Sequence, residues 1–159
     1  MINSTSAFSV ADFSSRLTEE RAALRAFVVL LEKEQQTLLN QSVEELQALA
    51  EAKTLSALKL TEMANTRRNF IHSKAPDLDT ATWILKFAPS CRAIWNDIRE
   101  LAAKAHQLNQ TNGEVIQLKL RSNQQALSAL LGAAKSAAGL YGRDGQPSLP
   151  TSGRTLGSG

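Results

Sequence analysis

The distribution of glycine constrains the fold of this chain more than any other feature of its sequence. All eight glycines of the 159-residue chain lie at Gly113 or later, and residues 1–112 contain only two prolines, Pro76 and Pro89. Sheets and barrels need many tight turns, and glycine is the residue that adopts turn conformations most readily. A long segment without glycine therefore predicts an all-α protein built from helices with few connections.

Leucines at seven-residue spacing predict the first long helix. Four such repeats on one helix face favour packing against other long helices. We expect this helix to begin at Ser14 or Ser15, after a Ser-rich, flexible N-terminus of residues 1–13. The repeating positions are Leu17, Leu24, Leu31 and Leu38.

A second helix is predicted over residues 43–73. Ser42 and Glu45 match the capping-box pattern at its start, and Pro76 follows its end. The break before Ser42 is short, so the first two helices should be antiparallel neighbours. A short helix is expected over residues 78–87, with its larger apolar side chains turned inward. These are Trp83, Ile84 and Phe87.

A third long helix should begin near Pro89 and run to about Leu140. Its length of about 50 residues corresponds to roughly 75 Å. The fold expected for residues 14–141 is thus an antiparallel bundle of three long helices with a short fourth helix. Residues 142–159 are rich in Gly, Ser and Pro, which predicts a disordered tail. The apolar line of the third helix is Ile94, Leu101, Leu108 and Val115.

After Val115 the apolar positions shift to another spacing, and the helix loses most of its charge. Lys135 is the only charged residue between Ser122 and Leu140. Burying each leucine of this stretch would gain roughly 1.5–3 kcal/mol. The stretch is therefore expected to pack on its own bundle, to self-associate or to bind a partner. Its apolar residues include Ile116, Leu120, Leu127, Leu130 and Leu131.

Charge and cysteine content exclude several classes of function. The net charge is +3, but the basic excess is spread thinly over residues 119–159, which argues against a nucleic-acid interface. Cys91 is the only cysteine, so no intrachain disulfide forms, as is typical of the reducing cytosol. The sequence shows no secretory signal and no apolar run long enough for membrane insertion. A cytoplasmic protein is expected.

No arrangement of residues predicts catalysis, a metal site or a cofactor site. His72 and His106 are far apart in sequence and have no ligand at metal-binding spacing. We therefore expect no enzyme, no metal and no cofactor.

Asparagines in the third helix need an explanation, because asparagine is a poor helix former. Asn109 and Asn112 lie beside the apolar seam, and Asn123 follows further along. A buried polar residue can fix the register of packed helices. Gly113 indicates either a bend or the close approach of another backbone, and the sequence does not decide between them.

Three segments of the C-terminal third resemble the FlgN family of flagellar type III export chaperones. They are residues 108–113 (LNQTNG), 123–127 (NQQAL) and 140–146 (LYGRDGQ). Their order and spacing match the family over residues 108–146, whereas residues 14–105 match only at the level of the helix pattern. Within this motif set, Asn109, Asn112, Gly113 and Asn123 are interpreted as helix-packing residues.

The resemblance implies a cytosolic chaperone for hook–filament junction proteins of the FlgK and FlgL type. Such a chaperone prevents premature assembly of its clients and delivers them to the export gate, with ATPase-complex components as further candidate partners. Tyr141 would contribute to docking at the gate, and weak homo-oligomerisation is left open. The residues implied in client binding are Val115, Ile116, Leu120, Leu127, Leu130 and Leu131.

An alternative reading of the same apolar helix is a structural role. Residues 122–140 would then form a homo-oligomerisation helix of an adaptor or scaffold protein.

Overall fold

The computed structural model describes the backbone of residues 4–40 and 42–140 and the side chains of residues 10–40 and 42–136. The described residues form α1 (Ser4–Asn40), α2 (Val43–Lys74), α3 (Thr80–Phe87), a 3-10 turn (Pro89–Cys91) and α4 (Arg92–Leu140). They contain no strand, so the all-α prediction is confirmed. The chain divides into two compact units, Met1–Val115 and Ile116–Gly159, and α4 contributes to both. The tail predicted at residues 142–159 lies outside the described residues.

Helix α1 begins ten residues earlier than the sequence pattern suggested. It starts at Ser4, so residue 13 is not a boundary between a loose N-terminus and the first helix. Neither Ser14 nor Ser15 caps the helix. The reason is that Phe13 continues the apolar face of α1 one turn beyond Leu17, and both side chains are buried in the core.

Helices α1 and α2 are antiparallel, as predicted. Two ion pairs establish the direction, because a higher residue number on α1 is matched by a lower one on α2. Arg67 is paired with Glu20, and Lys53 Nζ lies 3.2 Å from Glu34 Oε1. The side chains of both glutamates are less than 10% exposed. The two helices are thus joined by charged groups within the packed interface as well as by apolar contacts.

The connection from α2 to α4 is compact and well capped. Asp79 is the N-cap of α3, and its carboxylate accepts a hydrogen bond from the Thr82 backbone N at 2.8 Å. The hydrogen bonds from Thr82 lower the pKa of Asp79 below its ordinary value. By contrast, Ser42 precedes α2 as predicted but its side chain makes no capping hydrogen bond, so the predicted capping box does not form.

Helix α3 turns most of its expected residues inward. Trp83 and Ile84 are buried, and the Trp83 ring lies 4.7 Å from the Phe13 ring between centroids. The prediction for Phe87 is wrong, since this residue is 54% exposed. Phe87 is the last residue of α3, and it covers the outer side of Trp83 at a ring distance of 5.7 Å.

Helix α4 runs parallel to α1. Arg21 Nη1 lies 2.8 Å from Asp97 Oδ2, and Lys104 Nζ lies 2.6 Å from Glu32 Oε1, so residue numbers increase together along both helices. The three long helices are therefore arranged up, down and up. The buried apolar side chains on α1 and α4 include Leu17, Leu24, Val28, Leu31, Leu38, Ile98 and Ala105.

Candidate protein-interaction surface

Five large apolar side chains form a stripe along α4 after the last core residues. At 100° per residue, their positions fall within about 100° of the helix circumference. These residues are between 43% and 68% exposed, although each side chain would gain free energy from burial. We call this surface the C-terminal stripe, and it consists of Ile116, Leu120, Leu127, Leu130 and Leu131.

The surroundings of the C-terminal stripe carry charge near Leu120, where Lys119 and Arg121 flank it, but almost none further along the helix. Lys135 is the only ionisable residue after Arg121 in the described part of the helix. Leu118 is 63% exposed, but its position is on the opposite side of the helix from Ile116. Leu118 is therefore not part of the stripe, and at Leu127, Leu130 and Leu131 recognition of a partner would depend mainly on apolar contact.

Asn112 is the most deeply buried polar residue of α4. It is fully buried, and its Nδ2 donates hydrogen bonds to the Leu31 carbonyl oxygen at 2.9 Å and to Glu34 Oε1 at 3.1 Å. Because Lys53 contacts the same glutamate oxygen, one polar network joins α1, α2 and α4. Val115 is half-buried and follows Asn112 by three residues, so it lies on the buried seam rather than on the C-terminal stripe.

The other residues singled out in the sequence occupy different environments. Asn109 and Asn123 are exposed on α4, and only Asn112 of the three asparagines is buried. Gly113 lies within a continuous helix, and a Cβ atom placed on it would meet nothing within 4 Å. The helix is therefore continuous through Gly113, and a close backbone approach does not explain the glycine. Tyr141 lies outside the described residues.

Buried charged residues were missed in the sequence, although a signal for them is present. Glu20 and Glu34 each follow a core leucine of α1 by three residues, which is a core position in a heptad pattern. Lys53 and Arg67 are separated by two heptads on α2, the same separation as the two glutamates. Opposite charges repeating with equal spacing on two antiparallel helices indicate buried ion pairs.

The residues with chemical potential do not assemble into a reactive site. His72 and His106 are exposed, and Cys91 is buried among core residues. No group of three or more His, Cys, Asp or Glu side chains among the described residues could hold a metal ion. None of the described helices is long and apolar enough to cross a membrane.

Comparison with known protein families decides the family. The family described as FlgN protein matches residues 1–148, which is nearly the whole chain. The chain belongs to the FlgN family. No curated protein and no solved structure matches it. FlgN proteins are chaperones of flagellar assembly rather than a known enzyme family, and the family binds flagellar hook-associated proteins. The chain is therefore a flagellar export chaperone.

Proposed function

We propose that this FlgN protein binds hook–filament junction proteins of the FlgK and FlgL type in the cytosol, prevents their premature assembly and delivers them to the type III export gate. The proposed client-binding surface is the C-terminal stripe together with Val115, which is half-buried and precedes the stripe in the sequence of α4. The observation that carries this proposal is the exposure of five large apolar residues on one face of α4, whose stretch after Arg121 carries a single charged residue, Lys135, within the described part of the helix.

The chemistry of the stripe suits an amphipathic client segment that becomes helical on binding. Such a segment lays its own apolar face along the exposed helix. Its side chains spaced by three and four positions contact the apolar residues of the stripe. Ordering the client offsets roughly 2–5 kcal/mol of the contact energy. A complex of this kind protects its client and still dissociates when the client is handed over.

The two ends of the proposed interaction region have separate roles. Asn112 precedes the stripe and packs α4 on α1, whereas Asn109 is exposed, a Cβ atom at Gly113 would meet nothing within 4 Å, and Asn123 lies within the stripe's length. Tyr141 follows the described part of α4, and its proposed role in docking at the export gate rests on the family resemblance. ATPase-complex components are further candidate partners of the chaperone.

Removal of the apolar character of the stripe tests the client site. The variant Leu127→Gln, Leu130→Gln, Leu131→Gln should abolish co-purification with junction proteins and leave the far-UV helical signal unchanged. A matched control is Leu55→Gln with Leu58→Gln, because these leucines of α2 are also exposed, by 69% and 59%. The control should bind clients normally.

Two results would contradict the client site. Unchanged co-purification by the triple variant would remove the stripe from client binding. A purified protein that sediments as a stable oligomer, loses this state in the triple variant and ignores junction proteins would favour the homo-oligomeric adaptor instead.

The gate-docking role is tested separately with Tyr141→Ala. Client binding should survive, whereas secretion of junction proteins into the medium should fall. Loss of client binding in the same variant would assign Tyr141 to the client site.

A further inference from the structure

A groove between α1 and α2 is lined by none of the residues of the C-terminal stripe and has no part in the proposed function. We propose that this α1–α2 groove binds a basic amphipathic helix of a partner protein, which inserts apolar side chains between the two helices. The groove has a volume of about 340 Å³ and is lined by residues of both helices.

The floor of the groove is apolar and preformed. Phe13 and Leu17 of α1 are buried, and Met63 and Phe70 of α2 are half-buried. The rings of Phe13 and Phe70 stack at a centroid distance of 5.6 Å, which fixes one end of the floor. The volume is at the lower end of the range for ligand sites and suits one or two large apolar side chains.

Two of the basic side chains that line the groove are already neutralised. Arg16 Nε lies 3.1 Å from Asp12 Oδ2, and Arg67 is paired with Glu20. The Arg67 guanidinium carbon also lies 4.7 Å from the centre of the Trp95 ring. These cations are therefore poorly placed to attract an acidic partner.

The charges left over at the groove edge are predominantly acidic. Glu19 on α1 and Glu62 on α2 are exposed, line the groove from its two sides and form no ion pair within the described residues. Lys59 is the remaining cation of the lining and also lacks an ion pair there. Because these two carboxylates outnumber Lys59, an occupant with apolar side chains flanked by Lys or Arg complements the groove edge better than an acidic occupant does.

The dimensions of the groove favour a helix as the occupant. Its lining runs from Asp12 to Glu20 on α1 and from Lys59 to Phe70 on α2, which corresponds to about 12–16 Å. Side chains four positions apart on a helix are separated by about 6 Å, so two of them fit this length. Basic residues on the flanks of the same helix would then face the acidic edges.

The direct test uses a synthetic peptide and a reporter inside the groove. The peptide is an Ala-based helix of about 12 residues, roughly 18 Å long, with two central Leu four positions apart and flanking Lys. Met63 is one of only two methionines, the other being Met1, so a ¹³C-methyl spectrum of the full chain contains a resolved probe of the floor. We expect the Met63 methyl resonance to shift with saturable dependence on peptide concentration. An unmoved resonance at saturating peptide would overturn the proposal.

A matched pair of variants separates groove binding from binding elsewhere. Thr66 lines the groove and Thr61 does not, yet both are exposed on α2 and both hydroxyls donate to the carbonyl oxygen four residues earlier. Thr66→Trp should fill the groove and reduce peptide affinity at least tenfold, whereas Thr61→Trp should leave it unchanged. Equal affinities for the two variants would contradict the site.

The charge requirement has its own test. Replacing Lys by Glu in the peptide should remove binding, and Glu19→Gln with Glu62→Gln should weaken binding of the Lys peptide by up to about fivefold per charge. The effect should shrink at high salt, because these carboxylates are exposed. Equal binding of both peptides would contradict the basic partner.

The outcome is separable from that of the client site. The triple variant at Leu127, Leu130 and Leu131 should bind the Lys peptide normally, and Thr66→Trp should co-purify with junction proteins. Loss of peptide binding only in the triple variant would place the peptide on the C-terminal stripe and overturn the groove proposal.

Discussion

The two units of this protein are built from the same kind of helix but treat their apolar residues in opposite ways. In the unit Met1–Val115, the seven-residue line of α1 is buried, with Leu17, Leu31 and Leu38 no more than 3% exposed. In the unit Ile116–Gly159, the described leucines of α4 are all more than half exposed. Apolar periodicity therefore indicates which face of a helix is apolar. It does not indicate whether other helices of the same chain bury that face.

Complementary polar positions distinguish the first unit from the second. Along α1, Glu20, Phe27 and Glu34 are spaced by seven residues. Along α2, the residues with the same spacing are Arg67, Leu60 and Lys53 in reverse order. A slide of one heptad would place a buried carboxylate against an apolar residue, which is costly. The first unit thus specifies its own register, whereas the C-terminal stripe contains no charged residue that would specify one.

The largest expected effect comes from breaking a buried ion pair of the first unit. Arg67→Met leaves the Glu20 carboxylate unpaired at a side-chain exposure of 8%. We expect a loss of about 3–5 kcal/mol in the free energy of unfolding, measured by urea denaturation with tryptophan fluorescence. Trp83 and Trp95 both lie in this unit and report its unfolding.

Two further variants test whether the loss in Arg67→Met comes from the unpaired buried carboxylate. Glu20→Met combined with Arg67→Met should recover most of the lost stability, because no charged group is then buried without a partner. The double variant also removes Nε of Arg67, which has no hydrogen-bond partner among the described residues and is costly to bury. Lys104→Met breaks an ion pair with Glu32 whose side chains are 55% and 43% exposed, and should cost less than about 1 kcal/mol. Equal losses for Arg67→Met and Lys104→Met would remove the distinction between buried and exposed pairs.

A leucine-to-alanine comparison contrasts the two units directly. Leu31 is fully buried in the first unit, and Leu127 is 59% exposed in the second. Leu31→Ala should destabilise the protein by about 2–5 kcal/mol, whereas Leu127→Ala should change the tryptophan-detected stability by no more than about 0.5 kcal/mol. A large loss in Leu127→Ala would mean that the stripe is covered in the unliganded protein.

The contrast between the units also explains what the sequence could predict. Helix number, the antiparallel α1–α2 pair and the end of α2 before Pro76 follow from spacing and local signals, which act over one or two turns. The start of α1 was missed because packing of Phe13 on Phe70 and Trp83 is a tertiary contact, with no local cap to mark it.

The apolar residues of the candidate site could be predicted from the sequence, but their exposure could not. The apolar residues after Val115 are visible in the sequence, and their exposure is not, since exposure depends on which other helices reach them. The same limit applies to Asn112, because the sequence places three asparagines on α4 and only the fold buries one. The α1–α2 groove is formed by residues of two helices that are at least 39 positions apart and has no signal in either helix alone.

Two asparagines of α4, one buried and one exposed, should differ in their contribution to the free energy of unfolding. Asn112→Ala removes two hydrogen bonds from the network with Leu31 and Glu34, and should cost about 1–3 kcal/mol. Asn123→Ala removes an exposed side chain and should preserve or slightly raise stability, because alanine is the better helix former. Urea denaturation measures both variants, and a loss in Asn123→Ala equal to that in Asn112→Ala would contradict a specific packing role for Asn112.

The smallest effects come from two glycines of α4, one in each unit. A Cβ atom at Gly113 or Gly132 would meet nothing within 4 Å, so alanine fits both positions and should stabilise the local helix by about 0.5–1 kcal/mol. For Gly113→Ala the gain should appear in the tryptophan-detected urea midpoint, because this stretch of α4 unfolds with the core. For Gly132→Ala the midpoint should stay unchanged, and the gain should appear as slower amide hydrogen exchange around residue 132, since local opening there is independent of the core. A shifted midpoint in Gly132→Ala would show that the two units unfold together, and the exposed helix would then draw its stability from the bundle.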